Sequence, residues 1–381
     1  MAPLQRHEET IIDVRSVLPN DKKTIPLSES IVVGSASQTK NSDNKKKINP
    51  SVTDSNKKID VDDPSTTDEF DVTSFPVLPW ISVIMWPCML IVPLLLNVPD
   101  SPLHYSNIFP ESWYAIDNID GDSIGSSLSS PPKPLGLCLG LLTVAVGQLL
   151  CLFVFYFFKY GFLSHIYGEE PLSIQKKGAP RYEFWEGLTT HLSQPEGFVL
   201  LGGYLIGTWM LQLMPSAYYS FEGGIEWSQV FLCLVIQDGI QFVMHLLEHS
   251  VSPAFYQYSH KPHHKFTNPR LFDAFNGSML DTIFMILIPL YATSNLVNCN
   301  VWSYMAFGSL YANWLTLIHS EYTFPWDQIF HCIGFGTPAD HHVHHAFFKY
   351  NYAHLFTWFD RIWGTYRNPS EFGPKAFNEG V

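Results

Sequence analysis

Sixteen histidines occur in the chain, and eleven of them lie between His245 and His345. Their spacing says more than their number. His245 and His249 stand four apart in HLLEH. His260, His263 and His264 form HKPHH. His341, His344 and His345 form HHVHH, with His342 inside it. Residues four apart on a helix share a face, so His245 and His249 can meet one metal ion. Alone, that pair reads equally well as surface histidines at a helix end. Three such groups together argue against a plain solvated tract. Imidazole suits zinc, copper, iron or nickel, whereas calcium and magnesium want oxygen. A structural zinc takes four ligands, so eight or more candidates imply two metals. Each ligating ring also needs an acceptor for its second nitrogen. Glu248, Asp340, Glu321 and Asp327 stand nearby in sequence and can serve, and the role of His342 is open between orienting a neighbour and ligation.

These groups need elements to carry them to one place. HLLEH closes an apolar run, Trp227–Met244, in which Gln237 and Gln241 form a polar stripe with Asp238 beside it. Such a stripe in an apolar helix is costly unless it faces a cavity or a site. Pro262 disfavours a continuing helix, which puts HKPHH on a turn or at a new helix start. Two shorter apolar runs, Thr282–Val297 and Val301–Ile318, are separated by three residues and predict a hairpin. That hairpin returns the chain to the same side, where His319 opens HSEYTFPW and HHVHH follows.

Three further stretches, Val77–Leu96, Leu135–Phe158 and Phe198–Tyr219, carry no charged residue. Each has the roughly 20 apolar residues that a bilayer requires. Pro79, Pro87 and Pro93 predict a kink or break in the first. With four spans, 21 of the 22 Lys and Arg fall on the side that carries the N-terminal tail and the histidines. The positive-inside rule makes that side cytoplasmic. The expected fold is an all-α integral membrane bundle. It has about four spans plus a hairpin of two shorter segments, and a cytoplasmic histidine-rich metal-binding cap. Residues 1–75 are polar and lysine-rich, and are read as a disordered tail. The remaining division is 76–224 for the N-terminal membrane segments, 225–368 for the catalytic domain and 369–381 for a C-terminal tail. The net charge of −13 is no nucleic-acid signature. The six scattered cysteines form no CxxC and support neither a disulfide framework nor a zinc ribbon.

HLLEH, HKPHH, HSEYTFPW and DHHVHH followed by FFKYNYAHLFTWFDRIWGTY resemble the fatty acid hydroxylase / sterol desaturase superfamily of membrane di-iron enzymes. The resemblance covers roughly residues 225 to 368. It implies two iron ions, held by His245, His249, His260, His263, His264, His341, His344 and His345, with His319 a further ligand candidate. It implies O2 as co-substrate and a membrane lipid, squalene or sterol-like, as substrate. Electrons would come from external NAD(P)H-dependent partners, cytochrome b5 or an NADPH-dependent reductase, at the endoplasmic reticulum membrane. One departure stands out. Many members carry another histidine about a dozen residues after the second cluster, where this chain reads FNGSMLD, Phe275 to Asp281. That departure, the long polar tail and the C-terminal run look most like the flavin-free squalene epoxidases of the superfamily. The alternatives are a sterol C5-desaturase, a C4-methylsterol oxidase or a fatty acyl or sphingoid hydroxylase. A zinc-dependent membrane hydrolase would use only three or so of the histidines. A metal transporter would place its ligands near the bilayer midplane. His331 and His354 match no ligand position and are read as structural.

Overall fold

Helix formation follows the apolar runs, and polar caps and prolines set the ends. The computed structural model describes residues 89–115, 132–160, 173–175, 184–192 and 195–372. The first half contributes α1 (Ile91–Leu96), α2 (Pro134–Tyr156), α3 (Phe184–Leu192), α4 (Pro195–Met210) and α5 (Trp227–Ser250). The second half contributes α6 (Pro253–Tyr258), α7 (Lys261–His264), α8 (Met279–Leu296), α9 (Val301–Leu317), α10 (Asp327–Cys332), α11 (Pro338–Phe347) and α12 (Thr357–Trp363). No β-strand occurs among the described residues, only the isolated bridges Ser173–Tyr322 and Phe335–Phe356.

Three described helices are long and apolar enough to cross a bilayer: α2 continued to Tyr160, α5 and α8. Their outer faces carry exposed Leu142, Leu149, Phe153, Phe231, Val243 and Ile288. A helix apolar on its exposed side needs lipid there. The protein is a helical membrane protein, but its spans are distributed differently from the expectation. Most of Val77–Leu96 lies outside the described residues. The run Phe198–Tyr219 is not one helix. Its helix stops at Met210, Gln212 takes a positive φ of 52°, and Ser216–Tyr219 forms a separate 3₁₀ turn after Pro215. The hairpin is longer than expected in its first arm, because α8 begins at Met279, capped by the Ser278 hydroxyl accepting from Asp281 N. A π-helical turn, Ile283–Leu287, interrupts α8. Asn300 caps the second arm, accepting from Ser303 N at 2.9 Å.

α9 is the buried centre, with Trp302, Phe307 and Ala306 fully enclosed. It packs on α2 through small residues. A Cβ added at Gly147 would sit 2.9 Å from the Ser309 hydroxyl, so only glycine allows that approach. The Ser309 hydroxyl donates to Met89 O at 2.8 Å, and Gln148 donates to Asn313 at 3.1 Å.

Asp238 explains the polar stripe of α5. Its carboxylate accepts from the backbone N–H groups of His354, Leu355 and Phe356 at 3.2, 2.9 and 2.7 Å. A buried carboxylate thereby clamps the C-terminal segment onto a membrane helix. Charge-assisted hydrogen bonds contribute about 1.5–3 kcal/mol each, and their loss strands buried N–H groups. Asp238→Ala is therefore expected to lower the thermal midpoint in detergent by several degrees and to reduce folded yield. An unchanged melting curve would show that the clamp is dispensable.

Candidate metal centre

Short elements place the histidines. α5 carries His245 and His249 on one face at its end. Ser252 caps α6 through Phe255 N at 3.0 Å, and Pro253 and Pro262 sit at the first positions of α6 and α7. His260 is the N-cap of α7, so HKPHH is a new helix start, as expected. His319 follows the end of α9. α11 opens with a capping box, in which Thr337 Oγ1 accepts from Asp340 N and Asp340 accepts from Thr337 N.

All nine residues expected as ligands fall into two groups. One contains His245, His249, His260, His264 and His344; the other contains His263, His319, His341 and His345. Within each group one donor atom per residue lies within 4.8 Å of the others. Eight of the nine are buried and His249 is half-buried. The HxxHH boxes are shared between the groups. His260 and His264, four apart, join one, while His263 joins the other. His341 and His345, four apart, join one, while His344 joins the other.

The hydrogen bonds fix which nitrogens remain. His245 Nδ1 donates to Tyr352 O at 2.7 Å, His344 Nδ1 to Tyr350 O at 2.8 Å and His319 Nδ1 to Leu315 O at 2.7 Å. His263 Nδ1 donates to Asn276 O at 3.2 Å, and His260 Nδ1 to Asp281 Oδ1 at 2.6 Å. In the neutral tautomer each of these rings then has a bare lone pair at Nε2. Burial keeps the rings neutral. It pushes His260 down to about 3 and His263 down to about 4, and holds His264, His341, His344 and His345 well below the ordinary value.

The Nε2 atoms converge. His263 and His319 face each other at 3.4 Å, His319 and His341 at 3.0 Å, and His341 and His345 at 3.0 Å. In the other group His264 stands 3.1 Å from His249 and 3.0 Å from His344. His245 Nε2 and His260 Nε2 are buried with no hydrogen-bond partner. His263 and His319, whose Nδ1 groups both donate to carbonyls, turn bare lone pairs at each other, and these repel unless a cation lies between them. Two nitrogens about 2.1 Å from one ion and at right angles stand about 3.0 Å apart. The donor set therefore fits a pair of transition-metal ions, and its all-nitrogen chemistry does not fit calcium or magnesium.

The other candidates lie further out. Glu248 Oε2 is 3.5 Å from His260 Nδ1. His342 Nδ1 donates to Pro338 O at 2.9 Å, and its other nitrogen faces Gln175, away from both groups. Asp340 accepts from Thr337 and from the Tyr366 hydroxyl, not from a clustered histidine. Glu321 accepts from Leu271 N, and Asp327 from Phe324 N. His331 pairs with the Tyr366 hydroxyl at 2.7 Å. His354 stacks on His245 at 5.0 Å but belongs to neither group.

Asp281 escaped the sequence reading. It sits in the FNGSMLD segment, where it appeared only as the place of a missing histidine. The segment instead supplies a carboxylate to His260 and a carbonyl, that of Asn276, to His263. Gly277 is required, because a Cβ there would overlap the Asp281 carboxylate. Asp360 was also missed. It accepts from Tyr352 N and Ala353 N at 2.9 and 2.7 Å, fixing the loop whose carbonyls orient His245 and His344.

The model of the fatty acid hydroxylase family matches residues 230–365. The alternative squalene epoxidase of Phaeodactylum tricornutum is 61% identical across 84% of this chain and 88% of its own length. The chain belongs to the fatty acid hydroxylase family. It is an oxidoreductase of that family, and its histidine clusters are metal-binding in character. Methylsterol monooxygenase 1 of Gallus gallus is 28% identical across 70% of this chain and 85% of its own length. A Delta(7)-sterol 5(6)-desaturase of Gibberella zeae is 32% identical across 39% of this chain and 45% of its own length. No solved structure matches.

Partners of ligating histidines change metal affinity by about 10–100-fold when removed. Asp281→Asn and Gly277→Ala are both expected to lower metal content at limiting metal, measured by elemental analysis of purified protein. Full occupancy in both would deny Asp281 a positioning role. The depressed histidines also set a pH dependence. Below about pH 6.5 the unfolded chain takes up protons that the folded cluster refuses, so stability falls with pH. Metal-free protein should lose thermal stability as pH drops from about 6.5 toward about 4. A midpoint that is flat across this window would contradict the neutral, desolvated cluster.

Proposed function

We propose that the chain is a di-iron, O2-dependent membrane monooxygenase that converts squalene to 2,3-oxidosqualene. The observation that carries this reading is the pairing of two converging imidazole groups with identity over most of the chain to an alternative squalene epoxidase. His245, His249, His260, His264 and His344 would hold one ion, and His263, His319, His341 and His345 the other. Bound iron supplies the redox chemistry by which O2 oxidises an unactivated hydrocarbon. Epoxidation consumes one O2, two electrons and two protons, and yields one epoxide and one water.

This chain's residues set the conditions for that reaction. Carbonyls of Leu315, Tyr350 and Tyr352 and the carboxylate of Asp281 hold the rings in the tautomer that presents Nε2. A small cavity lies against the groups, lined by His260, His263, His319, Phe275, Leu315 and Met285 among others. Imidazole with Gln241, Asp281 and Thr282 makes one part of the lining and apolar side chains the other, which suits the approach of an alkene to the groups. The catalytic unit spans residues 225–368, preceded by the membrane segments of 76–224 and flanked by the tails 1–75 and 369–381. The distribution of Lys and Arg favours a cytoplasmic face for the cluster, in the endoplasmic reticulum membrane. Exposed Lys261, Lys265, Lys349 and Arg361 lie on the segments that carry the cluster. They suit docking of an acidic electron donor such as cytochrome b5 or an NADPH-dependent reductase.

Expression in cells lacking the flavin-type squalene epoxidase, with iron and reductase supplied, is expected to restore oxidosqualene in an oxygen-dependent manner. Purified protein should contain about two irons per chain, two ions being what nine nitrogen donors can share. His264→Ala and His345→Ala should each reduce turnover by about 100-fold or more while the protein still inserts in the membrane. A product from a sterol but not from squalene would move the assignment to sterol oxidation. A single zinc with oxygen-independent activity would overturn the oxygenase reading.

A further inference from the structure

A second, larger cavity of about 890 Å³, counting the space at its open mouth, lies between α2, α4, α5, α8 and α9. On α9 its lining residues are Val301, Tyr304, Met305, Gly308, Ala312 and Leu315, together with Ser309 and Tyr311. The spacing of three, four and seven is that of one helical face. From Val301 to Leu315 that face runs about 21 Å. One turn further along it stands His319, which lines the small cavity beside the imidazole groups. The two cavities share Phe275, Met285, Ile286 and Leu315 as lining. Met285 and Ile286 belong to the π-helical turn of α8, a feature often found at functional positions.

No charged side chain lines the large cavity. Several of its polar groups are already engaged, while the buried Tyr304 hydroxyl has no hydrogen-bond partner. Gln237 accepts from Thr293 at 3.1 Å, Tyr311 donates to Gln241, Ser309 donates to Met89 O at 2.8 Å and Thr143 donates to Met305 Sδ at 3.5 Å. A charged headgroup placed inside would lose water and find no counter-charge, which disfavours it strongly. The site suits a largely hydrocarbon ligand without a charged end. The end nearest Gly136 is fixed, because the Trp209 ring covers that glycine so closely that a Cβ there would overlap it. Trp209 is itself held by Nε1 donating to Lys133 O at 3.1 Å.

Between that wall and the imidazole groups, two lining glycines face open space. A Cβ at Gly140 or at Gly308 would meet no atom within 4 Å. Neither position needs glycine for backbone conformation or close helix packing. We propose that Gly140 and Gly308 are chain-length determinants: they keep the cavity open so that a long linear hydrocarbon lies along α9 with one end at Leu315 and His319. This rests on the hydrocarbon-oxidising reading above and adds the length of chain the site accepts.

The test uses the full chain, iron-loaded, in lipid nanodiscs. Equilibrium binding is measured for radiolabelled squalene and for a short polyprene with the same terminal alkene. Gly308→Leu and Gly140→Leu are expected to weaken squalene binding by about tenfold or more, since the added side chain takes the space of several buried methylenes. Short-polyprene binding and iron content should change by less than about twofold, because the space beside Leu315 is untouched. Gly203→Leu serves as control. Gly203 is exposed on α4, has open space around it and does not line the cavity, so both affinities should persist. Squalene affinity unchanged in both lining variants would overturn the proposal, as would equal loss of the long and short ligands with iron retained. If wild type ignores squalene but binds another long apolar chain that the variants exclude, the substrate assignment falls and the cavity assignment stands. If wild type binds no long chain, both fall.

Discussion

Nine imidazoles are brought together with their nitrogens facing one another, eight of them buried, in a membrane protein. Desolvation opposes their taking up protons, and the bare lone pairs of His263 and His319 repel at 3.4 Å. The remainder of the fold is organised to hold that arrangement. Five ring Nδ1 groups are tied to carbonyls or to Asp281, so the rings cannot turn their lone pairs away. Those carbonyls are held in turn. Asp360 fixes the loop that bears Tyr352, and Asn351, at a positive φ of 53°, bonds to Asp340 O and Arg367 O to make the tight return after α11. Asp238 then anchors the next three residues to α5. Asp238 and Asp360 both turn their oxygens to backbone N–H groups, where a charge-assisted hydrogen bond is strong.

The same economy of polar groups shapes the space beside the cluster. In the large cavity most hydroxyls and amides are paired to the wall, leaving a mostly apolar surface that runs along α9 toward His319. The two compartments differ by one helical turn on one helix, yet one is lined with uncharged, mostly apolar groups and the other with imidazole. Under the proposed function, a hydrocarbon bound in the first would reach the second along lining that the two share. Small residues on α2 do two jobs. Gly147 lets α9 approach closely, while Gly140 keeps a volume vacant.

Much of the site was legible in the sequence. The i, i+4 pair of HLLEH, the helix start forced at HKPHH by Pro262 and the return of the hairpin to His319 all follow from local periodicity and turn chemistry. Asp238 was also visible as a polar residue that needed a reason, although its partners were not. The spans were read less well. Apolar composition alone ran Phe198–Tyr219 into one segment, whereas Pro215 and the reversal at Gln212 end the helix at Met210. The hairpin's first arm is longer than its apolar run, because the Ser278 cap starts the helix ahead of it.

Residue types and spacing determined that this chain carries a metal-binding centre in a helical membrane protein, because helical period and ligand chemistry are local properties. Tertiary structure alone decided how the centre is divided. It split both HxxHH boxes between two groups, turned His342 toward Gln175, and put Asp281 and four backbone carbonyls behind the rings. Those choices depend on contacts between residues that are tens of positions apart, such as His245 with Tyr352. They also depend on which side of a short helix meets its neighbour. Neither is encoded in the order of residues within any one motif. The cavity that ends at His319 is likewise a property of five helices packed together.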